Sequence, residues 1–491
     1  MNEPLLFELA RPDYPGPRLP ASGVPEQPLD RLVPLGLRRA QPLAIPSLSE
    51  PEVARHFGRL GRRNHSLHDG LYPLGSCTMK FNPTVNEAIA RFEDFADLHP
   101  YHPEGKAQGA LRLMWELEQA LLALTGMNRM SLQPAAGAHG EWTGLLMIEA
   151  YHRSRGEHRD QVLVPDSAHG TNPASAALSR LQTIPIKTGP DGLVHVDDFR
   201  TKLSPRVAAV MLTNPNTLGL FETDIVEIAR LAHEQGAQMY YDGANLNALV
   251  GVARPGDMGF DVVHLNLHKT FSTPHGGGGP GAGPVGVKAH LAAFLPVPTV
   301  ERRDGRFAFD YDRPQSIGKV RAFYGNFGML VRAYAYIRAY GNSINEVAEQ
   351  AVLNASYLRH HLRRLFGDAF PTPSMHEFVL TARQAKEQGV RALDIAKRLI
   401  DLGYHPPTIY FPLIVPEAMM IEPTETESKA SLDGFIAAME QIADEIARDP
   451  AMVTSAPHTA PVGRLDEVRA ARQLDLRWRP AAAVPEQVAA T

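Results

Sequence analysis

Three short apolar runs decide the fold: Val207-Ala-Ala-Val-Met-Leu212, Gln238-Met-Tyr-Tyr241 and Val262-Val-His-Leu265. A helical stretch at residues 224–234 separates the first run from the second. Apolar runs that alternate with helices are typical of crossover units, which build a mostly parallel sheet with helices on both faces. Because ligands bind beyond the carboxyl ends of such strands, we expect a site in the loops that follow the runs.

The same pattern extends toward both ends of the chain. Further strand-like runs lie at residues 130–132, 161–164 and 183–186, and further helical stretches at 110–124, 141–151 and 173–181. An almost wholly helical stretch and then a mixed pattern follow, which predicts an α/β fold with a smaller C-terminal α+β domain. The predicted parts are a Pro-rich arm at residues 1–60, a large domain at 61–330, a small domain at 331–450 and a tail at 451–491.

The composition excludes several classes of protein. The chain has 491 residues and a net charge of −5, spread without long runs, which argues against a nucleic-acid surface or a polybasic membrane anchor. No run approaches the ~20 apolar residues of a membrane span. Cys77 is the single cysteine, so an intrachain disulfide and a multi-cysteine zinc site are excluded. The first residues lack a basic segment, and we expect no signal peptide and a cytoplasmic location.

The arm has ten Pro within residues 1–46. Proline blocks helix interiors and central strands, so this segment is not a domain of its own. Two interpretations stay open: a disordered arm, or one that docks on a partner surface through Leu5, Leu6, Phe7 and Leu9.

The most informative loop is His264-Leu-Asn-Leu-His-Lys269-Thr-Phe, which leads into a glycine-rich stretch from His275 to Gly286. A lysine between an apolar strand and a glycine-rich turn is suited to attack a carbonyl. A structural lysine and a flexible linker are the alternatives. Against a linker, the run lies between two apolar strands, where missing Cβ atoms let the backbone approach a ligand closely.

A second loop begins at Met239-Tyr-Tyr-Asp242-Gly-Ala244-Asn, where a strand ends in a carboxylate. Taken alone, such an aspartate is usually a turn former or a helix cap. Asp242 precedes Lys269 by 27 residues and lies on the preceding strand loop of the same predicted sheet. A carboxylate fixed there is suited to keep a pyridine nitrogen protonated.

Three more loops follow predicted strands. Residues 133–141 join a strand to a helix through small residues, which suits a phosphate at the helix N-terminus or, alternatively, tight packing. His169 is suited to stack on a planar ring, or it is a hydrogen-bonded structural histidine. Thr217 offers a short polar group to a ring hydroxyl or a substrate, or it belongs to a turn. Together with Asp242 and Lys269, these loops suit pyridoxal 5′-phosphate (PLP), which needs an anchor, a protonated ring nitrogen and an amine.

At this point the residues resemble the C-terminal half of glycine dehydrogenase (decarboxylating), the P-protein of the glycine cleavage system, and most closely subunit 2 of its split bacterial form. The stretches that carry the resemblance are residues 70–80, 133–141, 167–172, 266–283 and 420–428. They lie across residues 50–430, and the lysine–glycine stretch is the most specific of them.

The resemblance implies a fold-type-I, aminotransferase-like PLP enzyme with the cofactor bound covalently to Lys269. It places Asp242 on the pyridine nitrogen, with His169 and Ala244 on the two ring faces. The other cofactor contacts that it implies are Ala136, Gly137 and Ala138 at the phosphate, together with Thr217 and His268. It also implies glycine as substrate, a subunit 1 that lacks the lysine, an α2β2 assembly and the lipoyl group of the H-protein as acceptor.

Other candidates are weaker. Cys77 is more typical of a small buried or loop residue than of a nucleophile, and Lys80, the rival lysine, suits a substrate or subunit contact. His264 and His268 have the spacing of a zinc-binding helix, but their neighbours favour a strand, so we expect no metal site. His275 is a candidate for positioning substrate or moving a proton. The alternatives for the whole chain are another PLP chemistry, such as transamination or cysteine desulfuration, and a non-catalytic partner subunit.

Overall fold

The computed structural model describes residues 3–11, 14, 16, 20–41, 45–274 and 281–479. His275 and the glycines up to residue 279, which the sequence singled out, lie outside the described residues. The chain divides into two compact units, one made of Met1–His65 with Pro457–Thr491 and the other of Ser66–Ala456. Within the described ranges, no helix has both the length and the apolar character needed to cross a membrane.

The first unit joins the two chain ends. Its helices are Leu6–Leu9, Leu29–Leu32, Glu50–Gly61 and Glu467–Arg472, with a 3₁₀ turn at Leu35–Leu37. Phe7 of the arm stacks on Trp478 of the tail, with ring centroids 4.8 Å apart. Glu3 accepts hydrogen bonds from Arg59, at 2.6 Å from its Nη2.

The second unit contains a seven-stranded sheet. Its strands are β1 (Arg129–Ser131), β2 (Gln161–Pro165), β3 (Gln182–Ile186), β4 (Val207–Thr213), β5 (Gln238–Gly243), β6 (Val262–Leu265) and β7 (Val285–Val287). The order is β1-β7-β6-β5-β4-β2-β3, and β7 runs antiparallel to both of its neighbours. All the other strands run in one direction, so the loops after β1, β2, β4, β5 and β6 meet at one edge of the sheet.

Burial on both faces explains the apolar character of the central strands. Every residue of β4 and β5 is buried, including Tyr240 and Tyr241. The helices of this part are Thr84–Ala90, Glu93–Ala96, Gln108–Thr125, Gly137–Ser154, Thr171–Leu178, Val196–Lys202, Ile225–Glu234 and Phe327–Tyr340. Short 3₁₀ turns lie at Glu104–Lys106, Leu246–Ala248, Pro255–Met258, Ala289–Phe294 and Gly341–Ser343. The helix Gln108–Thr125 ends at Gly126, which has a φ of 71°, a conformation that glycine adopts without strain.

A second, antiparallel sheet follows in the same unit. A hairpin of β8 (Thr299–Arg303) and β9 (Arg306–Asp310) precedes β10 (Gly367–Asp368), β11 (Phe378–Thr381), β12 (Thr408–Ile409) and β13 (Ala418–Ile421). The last four strands pair in the order β10-β11-β13-β12. The helices around them are Asn345–Leu362, Arg383–Glu387, Ala392–Asp401, Lys429–Arg448 and Pro450–Thr454. Both sheets lie within Ser66–Ala456, and the predicted domain boundary near residue 330 stays a prediction.

Candidate active site

Lys269 lies in the turn that follows β6. The backbone N–H of Lys269 donates to the carbonyl of Asn266 at 2.9 Å, which closes this turn immediately beyond the strand. The side chain is half-buried, and its Nζ donates to the carbonyl oxygen of Ser76 at 2.9 Å. The amine of Lys269 therefore has a neutral acceptor and, among the described residues, no carboxylate within ion-pair distance.

Asp242 is the penultimate residue of β5, the strand next to β6, and is 3% exposed. Its Oδ2 accepts a hydrogen bond from Asn172 Nδ2 at 2.9 Å, and its Oδ1 accepts one from the backbone N–H of Ala244 at 3.0 Å. His264 Nε2 lies 3.2 Å from Oδ1. Burial acts to raise the pKa of Asp242, but His264, Asn172 and Lys269 together lower it below its usual value. A buried, ionised carboxylate is thus fixed at the carboxyl edge of the sheet.

A layer of buried polar groups supports this carboxylate. One carboxylate oxygen of Glu141, one of Asp242 and one ring nitrogen of His264 lie within 4.8 Å of one another. His264 Nδ1 is 2.9 Å from the hydroxyl of Tyr240. Glu141 accepts hydrogen bonds from the hydroxyls of Thr171, at 2.8 Å, and Ser175, at 3.0 Å. Glu141 ends the stretch of residues 133–141, and no role for its side chain was predicted from the sequence. Its position in the first turns of a helix that follows a strand end was the available signal.

His169 follows β2 and is held by its neighbours. Its Nδ1 lies 2.8 Å from the hydroxyl oxygen of Thr171, and its ring meets that of Phe411 edge-on at 5.7 Å. Burial first, and then the charge of Lys269, lower the pKa of His169. The ring is therefore kept neutral and oriented. Ala244, the other residue expected at a ring face, is half-buried and adjoins Asp242 through its backbone N–H.

The helix Gly137–Ser154 begins at the same edge. Ala136 precedes it in an extended conformation, and no side chain caps its first turn. A Cβ on Gly283 would lie 2.0 Å from the carbonyl oxygen of Ala136, and one on Gly137 would lie 2.3 Å from Asn266 Oδ1. At residue 283 only glycine fits, because the near atom belongs to the backbone, whereas at residue 137 the near atom belongs to the Asn266 side chain. Ala138 is exposed in the first turn, next to the uncapped N–H groups.

Thr217 and His268 are the two remaining residues expected to contact a cofactor. Thr217 follows β4, is 4% exposed, and donates its hydroxyl proton to the carbonyl of Ser167. That contact leaves the Thr217 oxygen as an acceptor. His268 is half-buried next to Lys269, and a Cβ on Gly281 would lie 2.3 Å from its Nδ1. Contact of either residue with a cofactor stays a prediction.

Lys80 is the other buried lysine of this region. Its Nζ donates to Glu425 Oε1 at 2.6 Å, to Thr270 O at 2.7 Å and to Asn247 Oδ1 at 2.9 Å, and it lies 3.2 Å from the hydroxyl of Tyr336. Burial lowers the pKa of Lys80, and the nearby Glu425 opposes that shift. With its amine so fully bound, Lys80 ties the loop after β6 to the segment after β13.

Cys77 and the histidine pair also have definite places. Burial raises the pKa of the Cys77 thiol to about 11, so the thiol stays protonated and is a poor nucleophile. His264 lies inside β6, while His268 lies beyond the end of that strand. The expected strand is confirmed, and the two histidines do not share a helix.

The sequence analysis missed a second buried cluster. His376, Glu377 and Glu422 are each 0% exposed, and their ligand atoms lie within 4.8 Å of one another. Glu377 accepts a hydrogen bond from the backbone N–H of Ser76, the residue whose carbonyl holds Lys269. Glu377 and Glu422 are 45 residues apart in the sequence, and nothing in either local pattern signals that they meet.

Comparisons with known proteins identify the family of this chain. A family model for the C-terminal domain of glycine dehydrogenase matches residues 347–458, and one for aminotransferase class-V matches residues 144–279. The probable glycine dehydrogenase (decarboxylating) subunit 2 of Halalkalibacterium halodurans is 56% identical over 479 residues, which cover 97% of this chain and 98% of the relative. The protein of the same name from Caldanaerobacter subterraneus is 56% identical over 476 residues, 96% of this chain and 98% of that relative. The chain belongs to this family.

Solved structures of low sequence identity share the fold of this chain. A glycine decarboxylase (P-protein) of the glycine cleavage system, in inhibitor-bound form, aligns with a TM-score of 0.71 at 22% identity, covering 84% of this chain and 94% of that one. A cysteine desulfurase from Thermococcus onnurineus aligns with a TM-score of 0.59 at 14% identity, covering 77% of this chain and 95% of that one. The predicted fold-type-I, aminotransferase-like class is confirmed.

Proposed function

We propose that this chain is the lysine-bearing subunit of a split P-protein, which uses PLP to decarboxylate glycine and passes the aminomethyl group to a lipoyl group on the H-protein. The observation that carries the proposal is that Lys269 and Asp242 lie at the carboxyl ends of adjacent strands, in a chain of this family. Among the described residues, the Lys269 amine donates to a carbonyl and to no carboxylate, and Asp242 is ionised and buried. We expect the reaction to take place in the cytoplasm.

The residues at the sheet edge fit PLP. The uncapped start of the helix Gly137–Ser154 suits the phosphate, with the backbone N–H groups of Gly137 and Ala138 as donors. Asn172 Oδ1 and Thr213 Oγ1, both buried at this edge, have no partner among the described residues. A ring with polar substituents would supply partners for such atoms. Ala136, Thr217, Ala244 and His268 are the further residues that we propose to contact it.

PLP supplies an electron-withdrawing ring that accepts the electron pair left on the substrate carbon when carbon dioxide departs. Asp242 contributes by holding a proton on the pyridine nitrogen, which keeps the ring electron-poor. His169, being neutral, covers one ring face without placing a charge there. The carbonyl of Ser76 accepts a hydrogen bond from the Lys269 amine and would hold that amine near the cofactor whenever it is not bonded to it.

Two partners belong to the proposal. The relatives are named subunit 2, and we propose a subunit 1 that completes an α2β2 assembly with this chain. The second substrate is the lipoyl group of the H-protein, whose disulfide accepts the aminomethyl carbon. We expect the isolated chain to bind PLP and to need subunit 1 for turnover.

Borohydride reduction tests the cofactor assignment directly. The purified chain, loaded with PLP and reduced, is digested and mapped for the peptide that carries the pyridoxyl group. We expect the label on Lys269 and none on Lys80, whose amine is bound to Glu425. Label on Lys80, or a chain that binds no PLP with or without subunit 1, would contradict the proposal.

A second experiment separates the alternatives. Glycine labelled in its carboxyl carbon is supplied to the chain, subunit 1 and lipoylated H-protein, and released carbon dioxide is counted. We expect release only when all three proteins are present. A desulfurase or an aminotransferase would instead act on cysteine or exchange amino groups with a keto acid. A non-catalytic partner subunit would leave glycine intact even with PLP bound.

A further inference from the structure

The cluster of His376, Glu377 and Glu422 is not used by the mechanism above. His376 Nε2 lies 3.9 Å from Glu377 Oε1 and 3.8 Å from Glu422 Oε1, distances beyond a hydrogen bond. All three side chains are fully buried. Two carboxylates thus lie close together in a site without access to solvent, beside the loop that binds Lys269.

The two carboxylates have only neutral hydrogen-bond donors. Glu377 accepts from the backbone N–H of Ser76 at 2.8 Å and from Asn245 Nδ2 at 3.1 Å, and Glu422 accepts from the backbone N–H of Thr78 at 2.9 Å. Glu422 Oε1 has no partner among the described residues. Over the same part of the chain, no lysine or arginine nitrogen lies within 4.0 Å of either carboxylate. The described residues around the cluster therefore do not neutralise two negative charges.

The charged groups around the cluster can balance one negative charge. Lys80 is committed to Glu425, and the Cys77 thiol is protonated. Both nitrogens of His376 lack a partner in the described ranges. Lys269 is the cation that remains, and it is linked to the pair because its amine donates to the carbonyl of Ser76 while the N–H of Ser76 donates to Glu377.

We propose that Glu377 and Glu422 share one proton and carry a single negative charge, which is the counter-charge of Lys269 whenever its amine is free. Two like charges so close in a buried site cannot both be ionised. Burial first, and then Glu422, raise the pKa of Glu377 to about 8, and burial also raises the pKa of Glu422. The role toward Lys269 rests on the proposed function, whereas the shared proton does not.

Infrared spectroscopy of the chain without PLP tests the shared proton. At neutral pH we expect the carbonyl stretch of a protonated carboxyl group, and we expect the component that the pair contributes to be lost in both E422Q and E377Q, because the remaining carboxylate then faces the charge of Lys269 without a second acid beside it. E417Q is the matched control: Glu417 is also buried, but its carboxylate is paired with Lys386 at 2.8 Å, which holds the pKa of Glu417 below its usual value, so this variant must keep the component that the other two lose.

Three outcomes would overturn the shared proton. The wild-type chain could show no band of this kind that depends on Glu377 or Glu422. The band could survive in one of the two single variants, which would locate the proton on one residue regardless of the other. Elemental analysis could find one divalent cation per chain whose removal by a chelator creates the band. Circular dichroism and the Tm verify that each variant folds.

The absorbance of the bound cofactor tests the counter-charge. The absorbance of the bound cofactor is followed as the pH is varied, and the midpoint is the pH at which half of the change has occurred. E422Q should keep the wild-type midpoint, because a proton-sharing pair and a single carboxylate carry the same charge. The double variant E377Q/E422Q loses that charge, and its midpoint should fall by about one pH unit. A shifted midpoint in E422Q, or an unshifted one in the double variant, would overturn this role. Failure of every variant and of the wild type to bind PLP would contradict the proposed function and leave the infrared result standing.

Discussion

Lys80 and Lys269 lie on two loops that exchange lysine–carbonyl hydrogen bonds. Lys80 Nζ donates to the carbonyl of Thr270, 2.7 Å away, and Lys269 Nζ donates to the carbonyl of Ser76, 2.9 Å away. The partners beyond that exchange differ. Lys80 is paired with Glu425 at 2.6 Å, and both side chains are almost fully buried. Lys269 has no such pair among the described residues.

The difference separates a structural amine from a reactive one. Freeing Lys80 would leave Glu425 as an unpaired buried charge, which is costly. Freeing Lys269 removes one hydrogen bond to a neutral carbonyl, worth about 1 kcal/mol. An amine that must bond to an aldehyde and then release it again needs the second environment. Two negative charges lie near Lys269 but do not hydrogen-bond to its amine: Asp242 and the Glu377–Glu422 pair. They attract the charge of Lys269 without binding the amine.

Replacing Lys269 with Ala tests whether Lys269 is the reactive amine. We expect the exchange of the glycine carboxyl carbon with carbon dioxide to fall to the uncatalysed background, because the amine that binds the cofactor is gone. The exchange is measured with labelled bicarbonate in the presence of subunit 1 and lipoylated H-protein. K429A is the control, since Lys429 is an exposed lysine paired with Asp433 at the surface. Exchange above background in K269A would assign the chemistry to another residue.

Replacing Lys80 with Met tests whether Lys80 is a structural amine. K80M leaves Glu425 buried without its cation, and we expect the free energy of unfolding to fall by about 3–5 kcal/mol. Urea denaturation measures this change. The double variant K80M/E425L removes both charges and should lose less stability than K80M alone. If K80M were as stable as the wild type, the ion pair would have no structural role.

Replacing Asp242 with Asn tests the acid that lies near Lys269 without pairing with it. An amide cannot hold a proton on the pyridine nitrogen, and we expect the exchange rate to fall by about 10²–10³-fold, the usual effect of losing one fixed electrostatic partner at a reacting group. D261N is the matched control, because Asp261 is a buried aspartate at the opposite end of β6. A rate in D242N close to that of D261N would remove Asp242 from the mechanism.

Much of this arrangement could be predicted from the sequence. The apolar runs that became β2 to β6 are long enough to show their type, and the predicted Asp242 and Lys269 lie near the end of β5 and just beyond β6. The direction of β7 could not be predicted, because a strand of three residues carries too little pattern. Its antiparallel course depends on its packing between β1 and β6.

The buried acids could not be predicted either. Glu377 and Glu422 appear in the sequence as acidic residues beside strands, a position where most glutamates are solvated. Their burial depends on close packing between distant segments. For example, Gly219 has a φ of 78°, and a Cβ there would lie 1.9 Å from the carbonyl oxygen of Glu377. The partner of Lys80, Glu425, lies 345 residues away in the sequence and has no local signal.

The pKa of His169 distinguishes the two lysines by a small effect. The pKa of His169 is lowered first by burial and then by the charge of Lys269. In K269M, without cofactor, that charge is absent, so the pKa of His169 should rise, whereas K80M should leave it unchanged. Titration of the ring C–H protons by NMR measures both.

The same shift predicts how stability depends on pH. The unfolded chain protonates His169 near the ordinary value of 6.5, and the folded chain does so only at lower pH. Between these two values the unfolded state binds more protons, so the free energy of unfolding decreases as the pH falls. This loss should be smaller in K269M than in the wild type, because the two pKa values of His169 lie closer together. A His169 titration that moves equally in K269M and K80M would mean that the two lysines act on the site alike, and the distinction between them would fail.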